Sequence, residues 1–417
     1  AAASYVLPAG EYDRQLDEVT DQTVVVAGTY HEVERTPVNL FRAVVALPRG
    51  MADAAQVIFL VFLIGGAVTV VDESGTLRRA VSWLIQRLHG RDLLVVPLVS
   101  LAFGMGGVVE NMQEEIIPLI PVLLILTTRM GFTPMVAVSM SAGAAFVGSA
   151  FSPINPFQVQ IAQKLAELPL LSGSLFRIFF LIIALALWIG LTTRYAAMTR
   201  VPGRAVSGDD EAALGRSDVL ILSLVVATFT TVVLGIMFWG WGFDELSAGF
   251  FIMGIIVGAI AGLGVTGTAE AYVRGFRSMA YAALLIGFAR AIFVVLQDGR
   301  IVDTIVNGLF QPLEGLPVMA SALGMVVAQA AIHVPVPSVS GQAVLTMPVL
   351  VPLADLLGMS RQVMVLAYQY GAGLCDLITP TNGALMAILG VAGVRFEEWI
   401  RFAAPLYLTM VALGVVS

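Results

Sequence analysis

The sequence predicts an all-α polytopic membrane protein made of two inverted repeats, each with a re-entrant hairpin and a broken helix. The first observation behind this prediction is composition: of 417 residues, 58% are hydrophobic and 12% are charged, and the mean hydropathy is +0.90. Soluble domains are about 25% charged. The lipid bilayer is therefore expected to be the main solvent of this chain. The second observation is an internal duplication of the sequence.

Composition also excludes several classes of protein. A net charge of −7 with only 22 Lys and Arg residues leaves no basic face for nucleic acid. One cysteine, Cys375, and three scattered histidines, His31, His89 and His333, leave no disulfide framework and no ligand cluster for a metal. The sequence contains no HExxH or GxSxG motif. It therefore predicts no enzymatic activity, no catalytic residues, no bound metal and no organic cofactor.

Twelve apolar stretches are expected to be membrane segments. Several are short or interrupted by Gly and Pro, and non-helical backbone at membrane depth is tolerated only where protein or an aqueous cavity covers its polar groups. The interrupted segments are therefore the first place to look for a binding site. The stretches lie at about 55–72, 92–109, 114–130, 133–151, 174–197, 217–238, 244–265, 279–297, 318–335, 340–357, 360–378 and 397–417.

The residues before the first stretch are of mixed character. AAASYVLPAG (1–10) is apolar but too short to cross a bilayer, and we expect it to be the end of a membrane helix that starts upstream. Residues 9–37 are polar and turn-rich, and the alternation in TVVVAGTYHEV (23–33) predicts a small extramembrane β-hairpin. Residues 38–54 are expected to form an amphipathic helix at the membrane interface.

The duplication appears when the two halves of the chain are aligned without gaps. PVLLILTTRMG (121–131) matches PVLVPLADLLG (348–358) at five of eleven positions, at an offset of 227 residues. At the same offset SPINP (152–156) falls on TPTNG (379–383), which pairs Pro with Pro and Asn with Asn. One duplicated unit in each half explains these matches better than chance.

A polar tip between two short apolar segments precedes each copy: GGVVENMQEE (106–115) and PVPSVSGQAV (335–344). Each pair of segments is too short to be two comfortable spans, so we expect hairpins that enter and leave by one face. With hairpins contributing no crossing, the two repeats run in opposite directions. The predicted elements are hairpins at about 92–130 and 318–357 and broken helices at about 133–165 and 360–390.

Basic residues predict the orientation, because cytoplasmic loops are rich in Lys and Arg. We therefore expect a bacterial inner-membrane protein with residues 9–54 outside the cytoplasm and a cytoplasmic linker, VPGRAVSGDDEAALGR (201–216). The linker separates a first repeat, 1–200, from a second, 217–417. Hairpin 1 would open from the cytoplasm and hairpin 2 from the exterior. The basic residues on the cytoplasmic face are Arg78, Arg79, Arg87, Arg91, Arg194, Arg200, Arg204, Arg216, Arg274 and Arg277.

The two Pro-Asn breaks are the leading candidates for binding. A Pro inside a hydrophobic helix frees carbonyls that suit a cation, and the exposed N-terminus of the next half-helix suits an anionic group. The alternative is a Pro kink capped by Ser or Thr, which one isolated motif would favour. Two copies at one offset favour binding. The predicted substrate-binding residues here are Ser152, Asn155, Thr379, Thr381 and Asn382.

The hairpin tips carry the second set of candidates. We predict that Asn111, Ser338, Ser340 and Gly341 bind substrate. Ionisable groups at membrane depth are costly, and such groups are functional hypotheses by default. Glu110, Glu114 and Glu115, with Asp376 in the second repeat, are therefore predicted to couple a proton or cation or to pair with a substrate amine. The alternative is that the glutamates reach an aqueous vestibule or cap the next helix.

Two further residues leave alternatives open. Arg290 can bind a substrate carboxylate bidentately or close a structural ion pair with an acid on a neighbouring helix. His333 has a side chain suited to proton handling, but beside Pro335 it can equally be a satisfied packing residue.

The chain resembles a known family, the YfcC-like transporters, which are related to the anaerobic four-carbon dicarboxylate carriers and the arginine/ornithine antiporters of the ion transporter superfamily. The matching pieces cover nearly the whole chain and are specific in combination. They are LPAGEYDR (7–14), the Gly-Met-x8-Glu-Glu region (104–115), NPFQVQIAQKLAELPLLSG (155–173), SVSGQAVLTMPVLVPLADL (338–356) and PTNGALMAILG (380–390).

The resemblance implies a homodimer in which a transport domain moves like an elevator against a scaffold, with substrate and cation sites at the hairpin tips and at the two breaks. This sequence departs from the family pattern at one place. Relatives often have Gly-Asp-Gly where this chain has Gly371-Ala372-Gly373, and Asn where it has Asp376. The acid has moved four residues along the chain.

We therefore expect ion-coupled symport or antiport of a small amino acid, basic amino acids included, with Na⁺ or H⁺ as the coupling ion. The glutamates and Asp376 favour a substrate amine, whereas Arg290 and the half-helix N-termini favour a carboxylate. An amino acid satisfies both. The alternative substrate is a C4-dicarboxylate or another small carboxylate, with the acids serving the coupling ion. A channel or an intramembrane enzyme is a third, weaker alternative, and counter-transport would exclude a channel.

Overall fold

The chain is largely helical in the computed structural model, which describes residues 1–17, 22–80, 83, 91–201, 214–239, 241–313 and 315–416. Most of the predicted linker, residues 202–213, and also His89, Arg87 and Arg204 lie outside this part of the chain. Among the described residues, seven helices are long and apolar enough to cross a bilayer. The predicted fold class, an all-α polytopic membrane protein, is confirmed.

The helices are numbered in chain order. They are α1 (Ala3–Val6), α2 (Leu40–Asp53), α3 (Ala55–Glu73), α4 (Val95–Glu110), α5 (Ile120–Arg129), α6 (Pro134–Ala150), α7 (156–165), α8 (Ser174–Thr199), α9 (Arg216–Trp239), α10 (Phe243–Ile260), α11 (Gly264–Asp298), α12 (Val302–Phe310), α13 (Val318–His333), α14 (Val339–Leu356), α15 (Arg361–Gly373), α16 (Gly383–Ala392) and α17 (Phe396–Val416). Short 3₁₀ turns at Asp92–Leu94, Glu114–Leu119, Gln311–Leu313 and Leu374–Leu377 adjoin α4, α5, α12 and α15.

The internal duplication is visible in the bounds of the helices. Helices α6 and α15 begin at residues 134 and 361, which differ by 227. Helices α5 and α14 end at 129 and 356, again 227 apart. The helices after the two breaks, α7 at 156–165 and α16 at 383–392, coincide at both ends at this offset. The two copies therefore fold into equivalent elements.

Hairpin 1 consists of α4, a tip at 111–119 and α5; hairpin 2 consists of α13, a tip at 334–338 and α14. One limb of each hairpin is short, as predicted: Ile120–Arg129 and Val318–His333. The other limbs, Asp92–Glu110 and Val339–Leu356, are long enough by themselves to cross a bilayer. Length alone therefore does not distinguish these limbs from ordinary spans. Break 1 is residues 151–155, and break 2 is residues 374–382.

Three clusters of buried apolar side chains hold the helices together. The first surrounds hairpin 1, α6, α16 and α17, and the second surrounds hairpin 2, α7 and α15. The third joins α3, α9, α10 and α11, through residues such as Ile64, Phe250 and Tyr272. We call the α3–α9–α10–α11 group the scaffold helices. These helices pack directly against the hairpins and α16, since Val61 of α3 and Ile286 of α11 belong to the first cluster.

Two short two-stranded sheets form ahead of α2. Strand β1 (Gly10–Glu11) pairs antiparallel with β4 (His31–Glu32), and β2 (Arg14–Asp17) pairs antiparallel with β3 (Gln22–Val25). The small hairpin predicted within residues 9–37 corresponds to these two sheets, in which strands from the 23–33 region pair with earlier residues of the chain. Strands β1 and β2 lack the alternation of apolar and polar residues that predicts a strand from sequence.

Buried contacts fix this β segment onto α12. The Tyr12 backbone N–H donates to Asp303 Oδ2 at 2.9 Å, and Arg14 Nη2 donates to both oxygens of that carboxylate at 2.9 Å. Burial, followed by the negative charge of Asp303, raises the pKa of the Tyr12 phenol to about 12. The phenol is therefore neutral at physiological pH and donates to Asn307 Oδ1 at 3.1 Å.

Two helices differ from the sequence prediction. The stretch expected at 279–297 is the second half of a 35-residue helix, Gly264–Asp298, and the helix Val302–Phe310 was not predicted. The first half of the long helix carries Glu270 and Arg274, which lower its hydropathy, but it contains no Pro. Arg274 Nε donates to Glu73 Oε1, at the end of α3, at 2.6 Å. The charge of Arg274 in the first half of the helix is therefore paired.

Candidate functional site

Break 1 is closed by hydrogen bonds from its own polar side chains. Asn155 Oδ1 accepts from the backbone N–H groups of Phe157 and Gln158 at 3.0 and 3.1 Å, which caps the N-terminus of α7. Asn155 Nδ2 donates to the Gly107 carbonyl at 3.0 Å, and Ser152 Oγ donates to the Val108 carbonyl at 2.6 Å. Both side chains are fully buried. Break 1 is therefore attached to α4 just before the tip of hairpin 1.

Break 2 repeats part of this geometry with a charged residue added. Asn382 Oδ1 accepts from the Leu385 backbone N–H at 2.9 Å and caps α16. Asn382 Nδ2 donates to Asp376 Oδ1 at 2.7 Å and to Gln113 Oε1 at 3.1 Å. Thr381 Oγ1 donates to the Val334 carbonyl at 2.6 Å. Break 2 is therefore bonded to the tips of both hairpins.

The two asparagines occupy equivalent places at the atomic level. Each caps the N-terminus of the following half-helix, and each donates to the side chain six residues earlier. Asn155 Nδ2 donates to Ser149 Oγ at 3.2 Å, and Asn382 Nδ2 donates to Asp376 Oδ1 at 2.7 Å. The offset of 227 thus places a neutral hydroxyl in one repeat where the other has a carboxylate.

The tip of hairpin 1 carries three glutamates. Asn111 ends α4 in the left-handed conformation (φ 57°), and its Oδ1 accepts a short hydrogen bond from Ser149 Oγ. Glu115 Oε2 accepts from the Gln113 backbone N–H at 3.1 Å. Among the described residues, Glu110 Oε1 is a buried oxygen with no hydrogen-bond partner. An unsatisfied buried oxygen of this kind is costly, and a bound cation or ammonium group would satisfy it.

The tip of hairpin 2 is neutral. Ser338 Oγ caps α14 by accepting from the Gly341 backbone N–H at 3.2 Å, and it lies 3.5 Å from Ser340 Oγ. Glu110 and Asn111 in the first repeat correspond at the 227 offset to Pro337 and Ser338. The negative charge of the two tips therefore comes from hairpin 1 alone.

A cavity of about 540 Å³ lies where the two tips meet. Its other side is formed by scaffold helices α10 and α11 and by the end of α2. Substrate cavities of about 300–1,000 Å³ are typical for small ligands. Lining residues from the predicted site are Glu110, Asn111, Glu114, Glu115, Arg290, Ser338, Ser340, Asp376, Thr381 and Asn382.

The cavity does not include every predicted residue. Ser152, Asn155 and Thr379 are buried in the breaks and are not among the lining residues. Gly341 lines a second cavity of about 570 Å³, beneath the β segment, which shares Arg290, Ser338 and Ser340 with the first. Gly341 therefore lines the neighbouring cavity. Ser152 and Asn155 of break 1 instead hydrogen-bond to the end of α4 in hairpin 1.

Arg290 forms an ion pair with an acid on a neighbouring helix, which is one of the two alternatives considered from the sequence. Its Nε donates to Asp53 Oδ2 at the end of α2, and its guanidinium lies 4.9 Å from the centre of the Phe293 ring. Both side chains of the ion pair remain partly exposed, and both residues line the 540 Å³ cavity. The guanidinium is therefore accessible, although one of its edges is already occupied.

A buried network connects Asp376 with hairpin 2. Asp376 Oδ1 lies 2.9 Å from His333 Nε2, and His333 Nδ1 lies 3.0 Å from Gln342 Oε1. Gln113 Nε2 donates to Asp376 Oδ2 at 2.8 Å. His333 is fully buried and Asp376 almost so. Both ring nitrogens of His333 therefore have hydrogen-bond partners in this buried position.

The site also contains polar residues that sequence reasoning missed. They are buried glutamines and one buried arginine in apolar helices, and a polar side chain in such a helix is the signal that could have revealed them. Arg177 Nε donates to Gln369 Oε1 at 3.0 Å, and Gln369 Nε2 donates to the Ser152 carbonyl at 2.7 Å. Gln158 Nε2 donates to the Gln369 carbonyl at 2.9 Å. Break 1 is therefore fixed to α15 and α8.

Glycines flank position 372, where α15 packs closely against its neighbours. Ala372 is fully buried, and it is flanked by two glycines whose Cβ positions are filled by other atoms. A Cβ on Gly371 would lie 2.6 Å from the Val326 carbonyl oxygen, and one on Gly373 would lie 2.1 Å from Gln158 Nε2. Helix α15 is thus in tight contact with α13 and α7. The acid of this region, Asp376, lies one turn further on, where the cavity begins.

A polytopic helical protein in which two hairpin tips and a helix break line one cavity has the architecture of a membrane transporter. The chain belongs to the C4-dicarboxylate anaerobic carrier family, DcuC, whose model matches residues 1–417.

Two curated relatives are similar over most of their length. "Putative basic amino acid antiporter YfcC" of Escherichia coli (strain K12) is 33% identical over 377 residues, covering 85% of this chain and 74% of the relative. An uncharacterized protein of Haemophilus influenzae (strain KW20 Rd) is 28% identical over 413 residues, covering 95% and 81%. The resemblance noted from the sequence motifs is confirmed, and the family is one of transporters rather than enzymes.

Two solved structures are also similar. The YdaH transporter of Alcanivorax borkumensis is 18% identical with a TM-score of 0.45, covering 100% of this chain and 94% of that one. MtrF of Neisseria gonorrhoeae, described as illuminating a class of antimetabolite efflux pumps, is 14% identical with a TM-score of 0.44, covering 100% and 92%.

Proposed function

We propose that this transporter is an ion-coupled secondary carrier of a small amino acid, with basic amino acids as the preferred substrates. The observation that carries this proposal is the charge of the 540 Å³ cavity. Its described lining contains five acidic residues and one basic residue. Two of the acids already have strong partners, since Asp53 pairs with Arg290 and Asp376 with His333. Three glutamates of hairpin 1 remain to attract a positively charged group.

Magnitudes favour an ammonium group over a second carboxylate near these glutamates. At an effective dielectric constant of about 20, like charges about 5 Å apart repel by about 3 kcal/mol. An ammonium group at the same distance would gain a similar amount. It would also satisfy Glu110 Oε1, which is without a partner among the described residues. A substrate with one or two amines therefore fits the side of the cavity formed by hairpin 1.

The substrate carboxylate fits the N-terminus of α16 and Arg290. Gly383 and Ala384, the first residues of α16, line the cavity, and a helix N-terminus stabilises negative charge. Arg290 lines the same cavity from α11. An amino acid placed between hairpin 1 and α16 would meet charges of the correct sign at both ends.

The second candidate substrate is a C4-dicarboxylate, as the printed name of the family suggests. Arg290 and the α16 N-terminus favour it, because each suits a carboxylate. The glutamates would then have to be neutralised by protons or by the coupling cation. This requirement makes the dicarboxylate the weaker proposal.

Ligand-dependent thermal stability separates the two substrates, because a ligand that binds the native state alone raises its stability. The purified protein would be heated with arginine, ornithine, lysine, alanine, succinate or fumarate, with and without sodium, at two pH values. Stabilisation by the basic amino acids is the expected result. Stabilisation by succinate or fumarate alone would overturn the amino acid proposal.

Glu110→Gln is expected to weaken binding of the stabilising amino acid by about tenfold to a hundredfold. The reason is that a hydrogen bond to a charged group contributes about 1.5–3 kcal/mol, and the amide keeps the shape of the side chain but loses its charge. Isothermal titration would measure the change. Glu397→Gln, at an exposed position of α17, is the matched control and should leave the affinity unchanged. Equal affinities for Glu110→Gln and the native protein would remove Glu110 from the substrate site.

We further propose elevator-type alternating access. The position of the cavity between scaffold helices α10 and α11 and the two hairpins supports this mechanism. In such a motion, α16 and the two hairpins would slide against α10 and α11. The contact of α16 with α11 would then have to break in every transport cycle.

A disulfide between α16 and α11 is expected to stop transport. A Cβ on Gly383 would lie 3.5 Å from Ile286 Cβ, within the range found in disulfides of about 3.5–4.5 Å. Gly383→Cys and Ile286→Cys would be combined with Cys375→Ala, which removes the one native thiol. We expect exchange of labelled substrate in liposomes to cease on oxidation and to return on reduction. Each single cysteine variant is the control, and full transport by the cross-linked protein would contradict sliding at this contact.

The bacterial inner membrane and a homodimeric assembly are proposals supported by the family resemblance. Mass measurement of the protein in native-like nanodiscs tests the assembly. A labelling experiment on single cysteines in residues 9–54 and 201–216 tests the proposed sidedness. Labelling of both segments from one side would overturn the orientation.

A further inference from the structure

His333 and Asp376 form a buried pair that joins hairpin 2 to break 2. His333 is the last residue of α13, and Asp376 lies in the 3₁₀ turn after α15. The distance between His333 Nε2 and Asp376 Oδ1 is 2.9 Å, and the side chains are 0% and 3% exposed. With the pair so deeply buried, its protonation state has to be compatible with every hydrogen bond around it.

The neighbours of Gln342 fix the tautomer of the histidine. Gln342 Nε2 lies 2.7 Å from the Gln329 backbone carbonyl oxygen, which can only accept a hydrogen bond. The amide nitrogen must therefore be on that side, and the amide oxygen faces His333 Nδ1 at 3.0 Å. An amide oxygen also only accepts. His333 Nδ1 consequently carries a proton.

The orientations of the two amides that contact Asp376 are fixed in the same way. Asn382 Oδ1 accepts from the Leu385 backbone N–H, so Asn382 Nδ2 must face Asp376 Oδ1 and Gln113 Oε1. The orientation of Gln113 follows, and Gln113 Nε2 donates to Asp376 Oδ2. Asp376 thus receives two hydrogen bonds from neutral amides, and neither supplies a proton to His333.

These constraints leave one proton between His333 Nε2 and Asp376 Oδ1. Either His333 is an imidazolium facing a carboxylate, or a neutral imidazole accepts from a protonated Asp376. Without this proton, the Nε2 lone pair would face a carboxylate oxygen at 2.9 Å, which is repulsive. The same distance leaves no room for a metal ion between the two atoms. The direct contact between His333 and Asp376 therefore requires one bound proton.

We infer that His333 and Asp376 together bind a coupling proton, and that losing this proton separates hairpin 2 from break 2. This inference rests on the proposed function, because a proton that is released in one conformation and bound in another couples to transport only in a carrier. Release of the proton would open the side of the cavity formed by hairpin 2. Binding of the proton would draw hairpin 2 back onto Asp376 and the capped α16.

Other ionisable groups surround the pair. Glu110, Glu114, Glu115 and Arg290 line the same cavity as Asp376. Tyr368 and Cys375 are close enough to interact electrostatically with Asp376, and Tyr407 contacts Cys375 at 3.6 Å. The proton must be assigned to the pair by a measurement specific to histidine, because the three glutamates also titrate.

Nitrogen-15 NMR of histidine-labelled protein in nanodiscs provides that measurement. His31→Asn combined with His89→Asn leaves His333 as the only histidine. We expect a proton on Nδ1 at neutral pH, with Nε2 either protonated as well or accepting a hydrogen bond. A neutral ring with its proton on Nε2 alone would overturn the inference. The result does not depend on knowing the substrate.

Proton movement per substrate tests the coupling itself. Liposomes containing the protein and a pH-sensitive dye would be given labelled arginine as the probe, and protons moved per arginine would be compared between proteins. We expect a constant ratio for the native protein and loss of the proton movement for Asp376→Asn, whose amide cannot take up a proton. Thr192→Val, at a buried hydroxyl in α8 that contacts Ser139, is the control and should keep the native ratio.

The outcomes distinguish the two proposals. An unchanged proton-to-arginine ratio in Asp376→Asn would refute the proton site while leaving the transporter proposal intact. If neither the native protein nor the control transports arginine, ornithine or succinate, the proposed function fails, and the NMR result still decides the protonation of the pair.

Discussion

Asn382→Ala is expected to abolish transport while the protein remains folded. The change removes three hydrogen bonds: the cap on the Leu385 N–H and the two donations to Asp376 Oδ1 and Gln113 Oε1. Loss of an N-cap costs about 1 kcal/mol. Loss of a donor to a buried carboxylate costs about 1.5–3 kcal/mol. These lost hydrogen bonds weaken the contact between break 2 and the tip of hairpin 1. Both elements line the cavity.

Asn155→Ala should have the same direction of effect through a different route. Asn155 does not line the cavity, but its Nδ2 donates to the Gly107 carbonyl, three residues before Glu110. Its loss would displace the end of α4 and with it the glutamates. Both variants would be measured by uptake into liposomes, with thermal stability of the purified protein as the test of folding.

Asn307→Ala is the matched control for both. This asparagine lies in α12, outside the two breaks, and its Oδ1 accepts a hydrogen bond from the Tyr12 phenol. It should lose some stability but keep its transport rate. Normal uptake by both Asn155→Ala and Asn382→Ala would refute the assignment of the two breaks to the site.

Gly148→Ala is expected to cause a large loss of stability. A Cβ at Gly148 would lie 2.1 Å from the Gly104 carbonyl oxygen, and one at Gly107 would lie 1.9 Å from the Ala145 carbonyl oxygen. Helices α4 and α6 therefore touch through their backbones, as small residues allow in membranes. One methyl group would force them apart, and overpacking of this kind costs about 1–3 kcal/mol or more. Hairpin 1 would move with α4, so transport should fall as well.

Gly190→Ala is the control for this clash. Gly190 lies inside α8, and a Cβ there would have no atom within 4 Å. Replacing Gly by Ala in a helix interior gains about 0.5–1 kcal/mol in helix propensity. The melting temperature should therefore fall for Gly148→Ala and stay level or rise for Gly190→Ala. Equal melting temperatures would show that α4 and α6 can separate without cost.

Some features of the site were predictable because they depend on local sequence. Pro153 and Pro380 break helices wherever the chain folds, and the asparagines two residues later cap the helices that follow. The offset of 227 predicts the equivalence of the helices that follow the two breaks, α7 and α16. The tips were recognised as polar interruptions of apolar stretches. These signals need only neighbours within a few residues.

The pairings between distant residues were not predictable. Arg290 and Asp53 are 237 positions apart, His333 and Asp376 are 43 apart, and Gln113 and Asp376 are 263 apart. The buried glutamines carry no charge and attract little notice in a sequence. Their importance arises only when two hairpins and a broken helix meet and leave each amide one possible orientation.

The sequence by itself determined the class of the protein, its duplication, the places where helices break and the acidic character of one hairpin tip. Composition and helix-breaking residues dictate these, because bilayer burial and backbone hydrogen bonding act at every residue independently of its distant partners. The tertiary structure alone decided which candidates face the cavity, that Arg290 is held by Asp53, and that His333 lies against Asp376. Such contacts depend on how helices pack across the two repeats, and packing over hundreds of residues leaves no local trace in the chain.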